Sequence, residues 1–387
     1  MPLRDQLRWG GLWIIVASAL FSSMNIAAYA GHHTTAIQAV YGIGFTALIL
    51  ACTLIHVAQA QRAGLFGLAA YVTTVLSLVY ANLITFLTLA ELAGYPAAHA
   101  ALTASWTSLP VGRVAVYGIF AGLPLLGMAA ARAGVFPTWA GRLVALGVAL
   151  QWPAQFATET VGPLFLIFAI GGSLLLGAGL AWIGWALWSG GAPVKTGATL
   201  SDLDRRWGGP FLIFAGGLFG LNAILNNVGE LSLIDGVSHL LMYTSLIFAS
   251  PIWYAAQAQR AGRIGLAGFL FTHLGATLSV IPSFLIVAQL AGALQTNDAL
   301  MISWVEIPVG RAGNYLALAG LFLLGLSTAR AAVFPRWSGW LVMAGLAVIV
   351  PTYFVTQPYL FQIFWAIGAA LAGVGMARIG WRVSQSA

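Results

Sequence analysis

Apolar runs of about twenty residues recur along the whole chain, and they constrain the fold more than any other feature. A helix of about twenty residues is needed to cross a hydrocarbon core of about 30 Å. The first run is long enough to span, so we expect an uncleaved helix rather than a signal peptide. Six runs precede a polar linker and six follow it, at residues 9–30, 36–58, 64–92, 113–134, 138–160, 163–188, 207–228, 235–258, 264–291, 311–332, 337–356 and 359–381. The sequence therefore predicts an all-α polytopic transmembrane helical bundle of about twelve spans.

The composition leads to the same fold class and excludes others. Charged residues make up 6% of the chain, whereas a soluble domain carries about 25%. The net charge of +7 indicates membrane topology rather than a polyanion, so membrane lipids are the expected partners and nucleic acid is not. Cys52 is the only cysteine, which excludes an intrachain disulfide and a cysteine-based zinc site.

An internal repeat appears when the chain is shifted by 198 positions. The shift aligns RWGG at 8–11 with 206–209, AQAQRAG at 58–64 with 256–262, PVGR at 110–113 with 308–311, and ARAGVFPTWAG at 131–141 with ARAAVFPRWSG at 329–339. A register held over that length predicts duplication. We therefore expect a first six-helix repeat at 1–188, a cytoplasmic linker at 189–206 and a second six-helix repeat at 207–387.

The distribution of Lys and Arg predicts the orientation, since short cytoplasmic loops are enriched in both. Fourteen of the sixteen cations fall in alternate loops, and Arg113 and Arg311 are the exceptions. Both termini are therefore predicted to be cytoplasmic, with the protein in a bacterial inner membrane. An even number of helices per repeat makes the two repeats parallel.

Several segments resemble known membrane proteins. AQAQRAG is predicted to form the cytoplasmic turn between the second and third helices of each repeat, and its placement resembles the loop signature of major facilitator transporters, although Gln61 and Gln259 stand where that family usually has Asp. QRAGRIGLAGFL at 259–270 and ARAAVFPRWSGWLVMAG at 329–345 resemble a broad group of bacterial integral membrane proteins built on a six-helix unit. That resemblance implies a bacterial inner membrane and no particular activity.

The repeats differ at polar positions on the predicted outer side. In the second repeat, Asn222, Asn226 and Glu230 are spaced i, i+4, i+8 on one helix, and His239 enters the next helix at a similar depth. Such residues are costly in lipid unless they face protein or a wet cavity. We expect either hydrogen bonding between helices or an outward-open substrate pocket, to which Arg311 and Gln357 would also belong. A metal held by Glu230 and His239 is a third reading.

The first repeat has its own polar candidates: Asn25, His32, Glu91, Arg113 and Glu159. Arg113, like Arg311, either extends to lipid phosphate or binds an anionic group in an outer cavity. Glu91 and Glu159 align with amides in the second repeat, so only one repeat can change charge there. A proton-coupled carrier needs this asymmetry, and exposed helix ends would produce it as well.

The sequence predicts no cofactor and no catalytic residue, because it contains none of the phosphate-loop, metalloprotease or nucleophile-elbow motifs. The leading functional hypothesis is a transporter or solute-binding permease for a small solute, with a cavity between the two halves. The alternatives are a non-catalytic membrane sensor or complex subunit, and an integral membrane enzyme acting on a lipid or quinone.

Overall fold

The described part of the chain is helical almost throughout and contains no strand. The computed structural model describes residues 3–29, 35–92, 110–156, 163–190, 202–225, 233–290, 308–354 and 357–385. Its helices are α1 (Leu3–Tyr29), α2 and α3 (together Thr35–Leu92), α4 (Pro110–Ala133), α5 (Thr138–Phe156), α6 (Pro163–Trp188), α7 (Asp202–Leu225), α8 and α9 (together Leu233–Leu290), α10 (Pro308–Ala331), α11 (Arg336–Ile349) and α12 (Pro358–Gln385).

The run Leu233–Leu290 is a helical hairpin that reverses at Gly262. This glycine has φ 60° and ψ −154°, which breaks the helix. Contacts pair residues at equal distances on either side of it: Ser250 Oγ lies 3.4 Å from His273 Nδ1, and the rings of Tyr254 and Phe269 stack at 5.3 Å. Helices α8 and α9, before and after Gly262, are therefore antiparallel neighbours.

The run Thr35–Leu92 forms the corresponding hairpin of the first half, with its reversal at Gly64 (φ 58°, ψ −154°). Asn82 Nδ2 donates to Thr46 Oγ1 at 2.9 Å, and the hydroxyls of Thr53 and Tyr71 lie 3.3 Å apart. A straight helix of 58 residues would be about 87 Å long, nearly three times the hydrocarbon core. Helices α2 and α3, before and after Gly64, divide that length between two passes.

Seven helical runs of the described chain are long and apolar enough to cross a membrane. Two of them contain the hairpins, so each of those two runs has the length for a pair of crossings. The predicted all-helical class and the membrane-protein character agree with these features, whereas the count of twelve spans stays a prediction.

The chain divides into two compact units, residues 3–198 and 199–387, called here the first and second unit. In each unit the first helix packs closely on the last. A Cβ atom built on Gly11 would lie 2.3 Å from the Gly184 carbonyl oxygen, and one built on Gly209 would lie 2.6 Å from that of Gly380. Glycine permits this approach of two backbones, which is a common way for helices to pack in lipid.

Basic and tryptophan side chains share one end of the first unit. The Arg8 guanidinium donates to the Trp188 carbonyl at 2.9 Å, and Trp139 and Trp182 pack at 4.6 Å between ring centroids. In the second unit, the Arg378 guanidinium lies 5.9 Å from the Trp337 ring, again at helix ends. Tryptophan at helix ends beside cations is typical of the membrane interface. These are the ends that the sequence places in the cytoplasm.

Several helix boundaries differ from the predicted apolar runs, and three of them have a clear description. Helix α1 begins at Leu3 rather than at residue 9. Helix α7 begins at Asp202, so the last residues of the predicted linker are helical, because acidic residues favour a helix N-terminus. Helix α11 ends at Ile349 rather than at residue 356, and a 3₁₀ turn, Val350–Tyr353, follows. Proline at 351 has no N–H to continue the α-helical pattern.

Candidate functional site

A buried polar stripe runs along one face of α8. It consists of Asp235, His239, Tyr243, Ser250 and Gln257, each at most 5% exposed. At 100° per residue these positions lie within about 80° of one another, and from the first to the last the helix rises by about 33 Å. The stripe is therefore about as long as a hydrocarbon core is thick.

Two of the predicted site residues, Asn222 and His239, lie at the end of the stripe nearer Leu233, which the sequence predicts to be the outer end. His239 Nδ1 lies 3.3 Å from the Asp235 carboxylate and 3.1 Å from the Asp235 carbonyl oxygen. The Ser238 hydroxyl donates to the Asn222 side-chain oxygen, and the Asn222 amide reaches the sulfur of Met242 at 3.4 Å. A carboxylate in the first turn of a helix is stabilised by the helix dipole.

Both residues are buried. Asn222 is 1% exposed and His239 is 5% exposed, and Asn222 on α7 contacts Ser238 and Met242 on α8. The hydrogen-bond partners of the Asn222 side chain, Ser238 and Met242, therefore belong to the same unit. The outward-open substrate pocket stays a prediction. Asn226 and Glu230, which the sequence predicts on the same helix face as Asn222, lie outside the described residues. The structure therefore does not test a metal held by Glu230 and His239.

The middle of the stripe is a chain of hydrogen bonds that links three helical segments. The Tyr243 hydroxyl on α8 donates to Asn314 Oδ1 on α10 at 3.2 Å. The Asn314 amide in turn donates to the hydroxyl of Tyr353 in the 3₁₀ turn, and the rings of Tyr315 and Tyr353 meet edge to face at 5.2 Å. One asparagine therefore uses both ends of its amide to hold two tyrosine hydroxyls.

Helix α9 adds further polar groups facing the lower part of the stripe. His273 is fully buried, with its Nδ1 3.4 Å from the Ser250 hydroxyl. Helix α9 also buries four hydroxyl residues: Thr272, Thr277, Ser279 and Ser283. Helix α9 therefore carries buried polar side chains along much of its length, and Thr272 and Ser279 lie close to Gly320 and Gly313 of α10.

The end of the stripe nearer Gly262, the predicted inner end, is a hydrogen-bonded network. The Trp253 indole donates to the Thr328 hydroxyl at 2.9 Å, and that hydroxyl donates to the Gln257 side-chain oxygen at 2.9 Å. The Gln257 amide donates to the Ser327 hydroxyl at 3.0 Å. Every polar atom of Gln257 has a partner, as buried amides generally require.

The first unit has mostly apolar residues at the matching positions. The residues 198 positions earlier are Ile37, Tyr41, Phe45, Cys52 and Gln59 on α2, Val75 on α3, and Val116, Ala129 and Ala130 on α4. Both hairpins are nevertheless 58 residues long and reverse at glycines with nearly the same φ and ψ. The difference is confined to these positions, because the first hairpin also buries polar residues elsewhere, among them Thr53, Thr74 and Asn82.

The other predicted candidates differ from one another in burial. Asn25 is buried in the first unit, where its side-chain oxygen accepts a hydrogen bond from Tyr41. Arg311 and Gln357 are exposed, and the Gln357 carbonyl accepts the Phe361 N–H at 3.1 Å, which caps α12. Outside the description lie His32, Glu159 and the side chains of Glu91 and Arg113.

Most of the stripe escaped the sequence predictions. The sequence predictions did not include Tyr243, Gln257 or Asn314. Tyr243 and Asn314 have apolar counterparts in the first unit, Phe45 and Val116, so the difference between the repeats marks them, whereas Gln257 matches Gln59 and gives no such signal. In the described part of the chain, no three His, Cys, Asp or Glu side chains form a group able to hold a metal ion.

Comparisons with known proteins give this geometry no family context. No protein-family model, curated protein or solved structure matches the chain.

Proposed function

We propose that this protein is a multi-pass membrane transporter whose small polar solute moves along the buried stripe of the second unit, between α8, α9 and α10. One observation carries the proposal. The stripe has the length of a membrane crossing, and three of its five positions, 235, 243 and 250, have Ile, Phe and Cys at the matching positions of the first unit. Polar residues within membrane helices commonly mark a solute or ion pathway.

Helix packing alone is the competing explanation, but polar contacts between helices stabilise a membrane protein only slightly. A hydrogen bond between membrane helices contributes about 0.6 kcal/mol on average, because the separated helices find other partners in the membrane. Burying polar groups is also costly wherever a partner is imperfect. Polar residues that stand at 235, 243 and 250 in the second unit, and are absent at the matching positions of the first, are therefore better explained by a solute that moves along the stripe.

The chemistry of the stripe limits the class of solute. Its middle and inner parts present hydroxyls, amides and an indole, as on Tyr243, Asn314, Gln257 and Trp253. The ionisable residues Asp235 and His239 lie at the predicted outer end of the stripe. This lining suits a small uncharged or zwitterionic molecule that donates and accepts hydrogen bonds. A cation or an anion would need an opposite charge along the path when it leaves water.

The proposal includes the topology: twelve spans, parallel duplicated units and both termini in the cytoplasm of a bacterial cell. Paired backbone features support the duplication. The reversals at Gly64 and Gly262 are 198 positions apart, and so are Gly134 and Ala332, which have φ 62° and φ 52°. Ala332 is the only non-glycine residue of the described chain with positive φ, and it occupies the position of a glycine in the first unit.

Cysteine labelling tests the orientation. Cys52 is fully buried, so a membrane-impermeant maleimide is expected to leave the unmodified chain almost unlabelled. Ser189 follows α6 on the predicted inner side, and Gln357 precedes α12 on the outer side, and both are exposed. We expect Gln357→Cys to be labelled in intact cells and Ser189→Cys only after the membrane is opened. Labelling of Ser189→Cys in intact cells would contradict the proposed topology.

Solute flux into proteoliposomes tests the function. Four probes are used. Entry of glycerol and urea is measured by light scattering after an osmotic jump, and uptake of glycine and alanine is measured with radiolabelled molecules. The test variant is Tyr243→Phe/Asn314→Val, which carries the residues found at these places in the first unit. For a probe admitted by the wild type, we expect its rate to fall by about tenfold or more, since two hydrogen-bonding groups of the path are lost.

The control is Thr46→Val, which breaks the Thr46–Asn82 hydrogen bond of the first unit and leaves the stripe intact. Its flux should match that of the wild type. Flux no greater than in protein-free liposomes for all four probes would contradict the proposal and favour the sensor, subunit or lipid-enzyme alternatives. Equal flux in the wild type and the double variant would remove the stripe from the path.

A further inference from the structure

Gln59 is a buried amide with an unusual environment. It is 1% exposed and lies near the inner end of α2, five residues before the reversal at Gly64. Among the residues that the structure describes, neither its Nε2 nor its Oε1 has a hydrogen-bond partner. A primary amide offers two donors and an acceptor, and leaving all of them unpaired in an apolar interior is strongly unfavourable.

The second unit shows what such an amide requires. Gln257 matches Gln59 in the 198-residue register, and its amide is satisfied by the hydroxyls of Ser327 and Thr328. The first unit has Ala129 and Ala130 at the matching places, and both are buried. The amide was kept in both units, while its two partners are present in only one.

The surrounding backbone confirms that these residues occupy equivalent places. A Cβ atom built on Gly265 would lie 3.5 Å from the Cβ of Ser327, and one built on Gly67 would lie 3.9 Å from the Cβ of Ala129. The alanine methyl therefore stands where the serine side chain stands, without its oxygen.

The first unit also has smaller side chains around this amide. Alanine at 130 lacks both the hydroxyl and the methyl of Thr328, and Ile55 takes the place of the much larger Trp253. Ile55 itself is buried. Three side chains of the second unit, Trp253, Ser327 and Thr328, are thus replaced in the first unit by the smaller Ile55, Ala129 and Ala130.

We propose that the Gln59 amide is a binding site for an internal water molecule, held against Ala129 and Ala130. The water accepts a hydrogen bond from Nε2 and donates one to Oε1, as the two hydroxyls do for Gln257. Buried waters generally occupy such places, where polar groups of the protein would otherwise be unpaired. This inference concerns the first unit and does not depend on the proposed transport path.

Radical labelling tests the site in the intact protein. Hydroxyl radicals generated by X-rays from bound water modify the side chains beside it, and mass spectrometry of a sample in ¹⁸O-water identifies them. We expect modification of Ile55 and His56, which are 1% and 5% exposed, well above that of Ile14, which is fully buried in the same unit. Modification of Ile55 and His56 no greater than that of Ile14 would overturn the proposal.

The second unit supplies the matched variant, Ala129→Ser/Ala130→Thr, which adds the two missing hydroxyls. We expect it to lower modification of Ile55 and His56 by about fivefold, because the hydroxyls replace the water at both amide atoms. The steric control, Ala130→Val, fills the space of threonine without its hydroxyl, and the amide should then keep a water. Unchanged labelling in the double variant would contradict the proposal.

A second variant covers the case in which the double variant does not fold. Gln59→Leu removes both hydrogen-bonding atoms at nearly constant size, so labelling of Ile55 and His56 should fall to the level of Ile14. Gln257→Leu is the counterpart in the second unit and should leave the labelling of the first unit unchanged. Persistent labelling in Gln59→Leu would overturn the proposal, because the water would then not be held by this amide.

Discussion

Gly216→Leu is expected to prevent the second unit from folding, whereas Gly217→Leu, one residue along the same helix, should be tolerated. A Cβ atom built on Gly216 would lie 2.5 Å from the Gly373 carbonyl oxygen and 3.0 Å from the backbone nitrogen of Ala377. Backbone atoms of α12 cannot move aside as a side chain can. We expect a loss of more than about 3 kcal/mol, beyond the usual range for overpacking.

Gly217 is the matched control, because no atom lies within 4 Å of a Cβ built there. Leucine at this position faces open space, and it favours the helix by about 1 kcal/mol over glycine. The measurement is the fraction of each variant that elutes as a monodisperse peak in detergent, with the midpoint of unfolding in sodium dodecyl sulfate. Gly373→Leu should reproduce the defect from the other helix. A monodisperse, wild-type-like Gly216→Leu would disprove the close α7–α12 contact.

The fold was largely predictable because lipid restricts the options of the backbone. Within hydrocarbon every N–H and C=O must be paired inside its own segment, so long apolar runs must be helices. The predicted turn at AQAQRAG coincides with the reversals at Gly64 and Gly262, since the glycine that ends the motif supplies a conformation closed to other residues. The same physics explains why the helices begin and end near the predicted positions.

The errors occurred where hydropathy and helix chemistry diverge. The charged residues from Asp202 to Arg206 resemble a linker in hydropathy, but acidic residues at 202 and 204 are well placed for the first turn of α7. Proline at 351 is apolar enough to extend a predicted span, yet it ends α11. A hydropathy pattern indicates which residues are buried in lipid. It does not indicate where a residue lacks the backbone N–H that an α-helix needs.

The site was only partly predictable, because its partners are distant in sequence. Tyr243 and Asn314 are 71 residues apart, and Gln257 and Ser327 are 70 apart. One sequence contains no signal that pairs them. Asn222 and His239 were found because they differ from Met24 and Tyr41 of the first repeat, but the partner of Asn222 is Ser238, which a comparison based on strongly polar residues passes over.

Gly262→Val is expected to destabilise the α8–α9 hairpin without any steric clash. No atom lies within 4 Å of a Cβ built on Gly262, so the cost arises from the backbone alone. Its φ of 60° and ψ of −154° belong to a region that is essentially restricted to glycine, and forcing a β-branched residue into it costs about 3 kcal/mol. Since the stripe on α8 depends on the antiparallel approach of α9, through Ser250 and His273, solute flux should fall together with stability.

Gly134→Ala is the matched control for a positive φ. Gly134 has φ 62°, and its counterpart in the second unit, Ala332, has φ 52°, so alanine is compatible with the fold at this place. We expect Gly134→Ala to cost about 1 kcal/mol and Ala332→Gly to change stability by less than that in either direction. Unfolding midpoints of the three variants in sodium dodecyl sulfate provide the comparison. If Gly262→Val is no more destabilising than Gly134→Ala, then the reversal at Gly262 does not need glycine, and the retention of AQAQRAG in both units needs another cause.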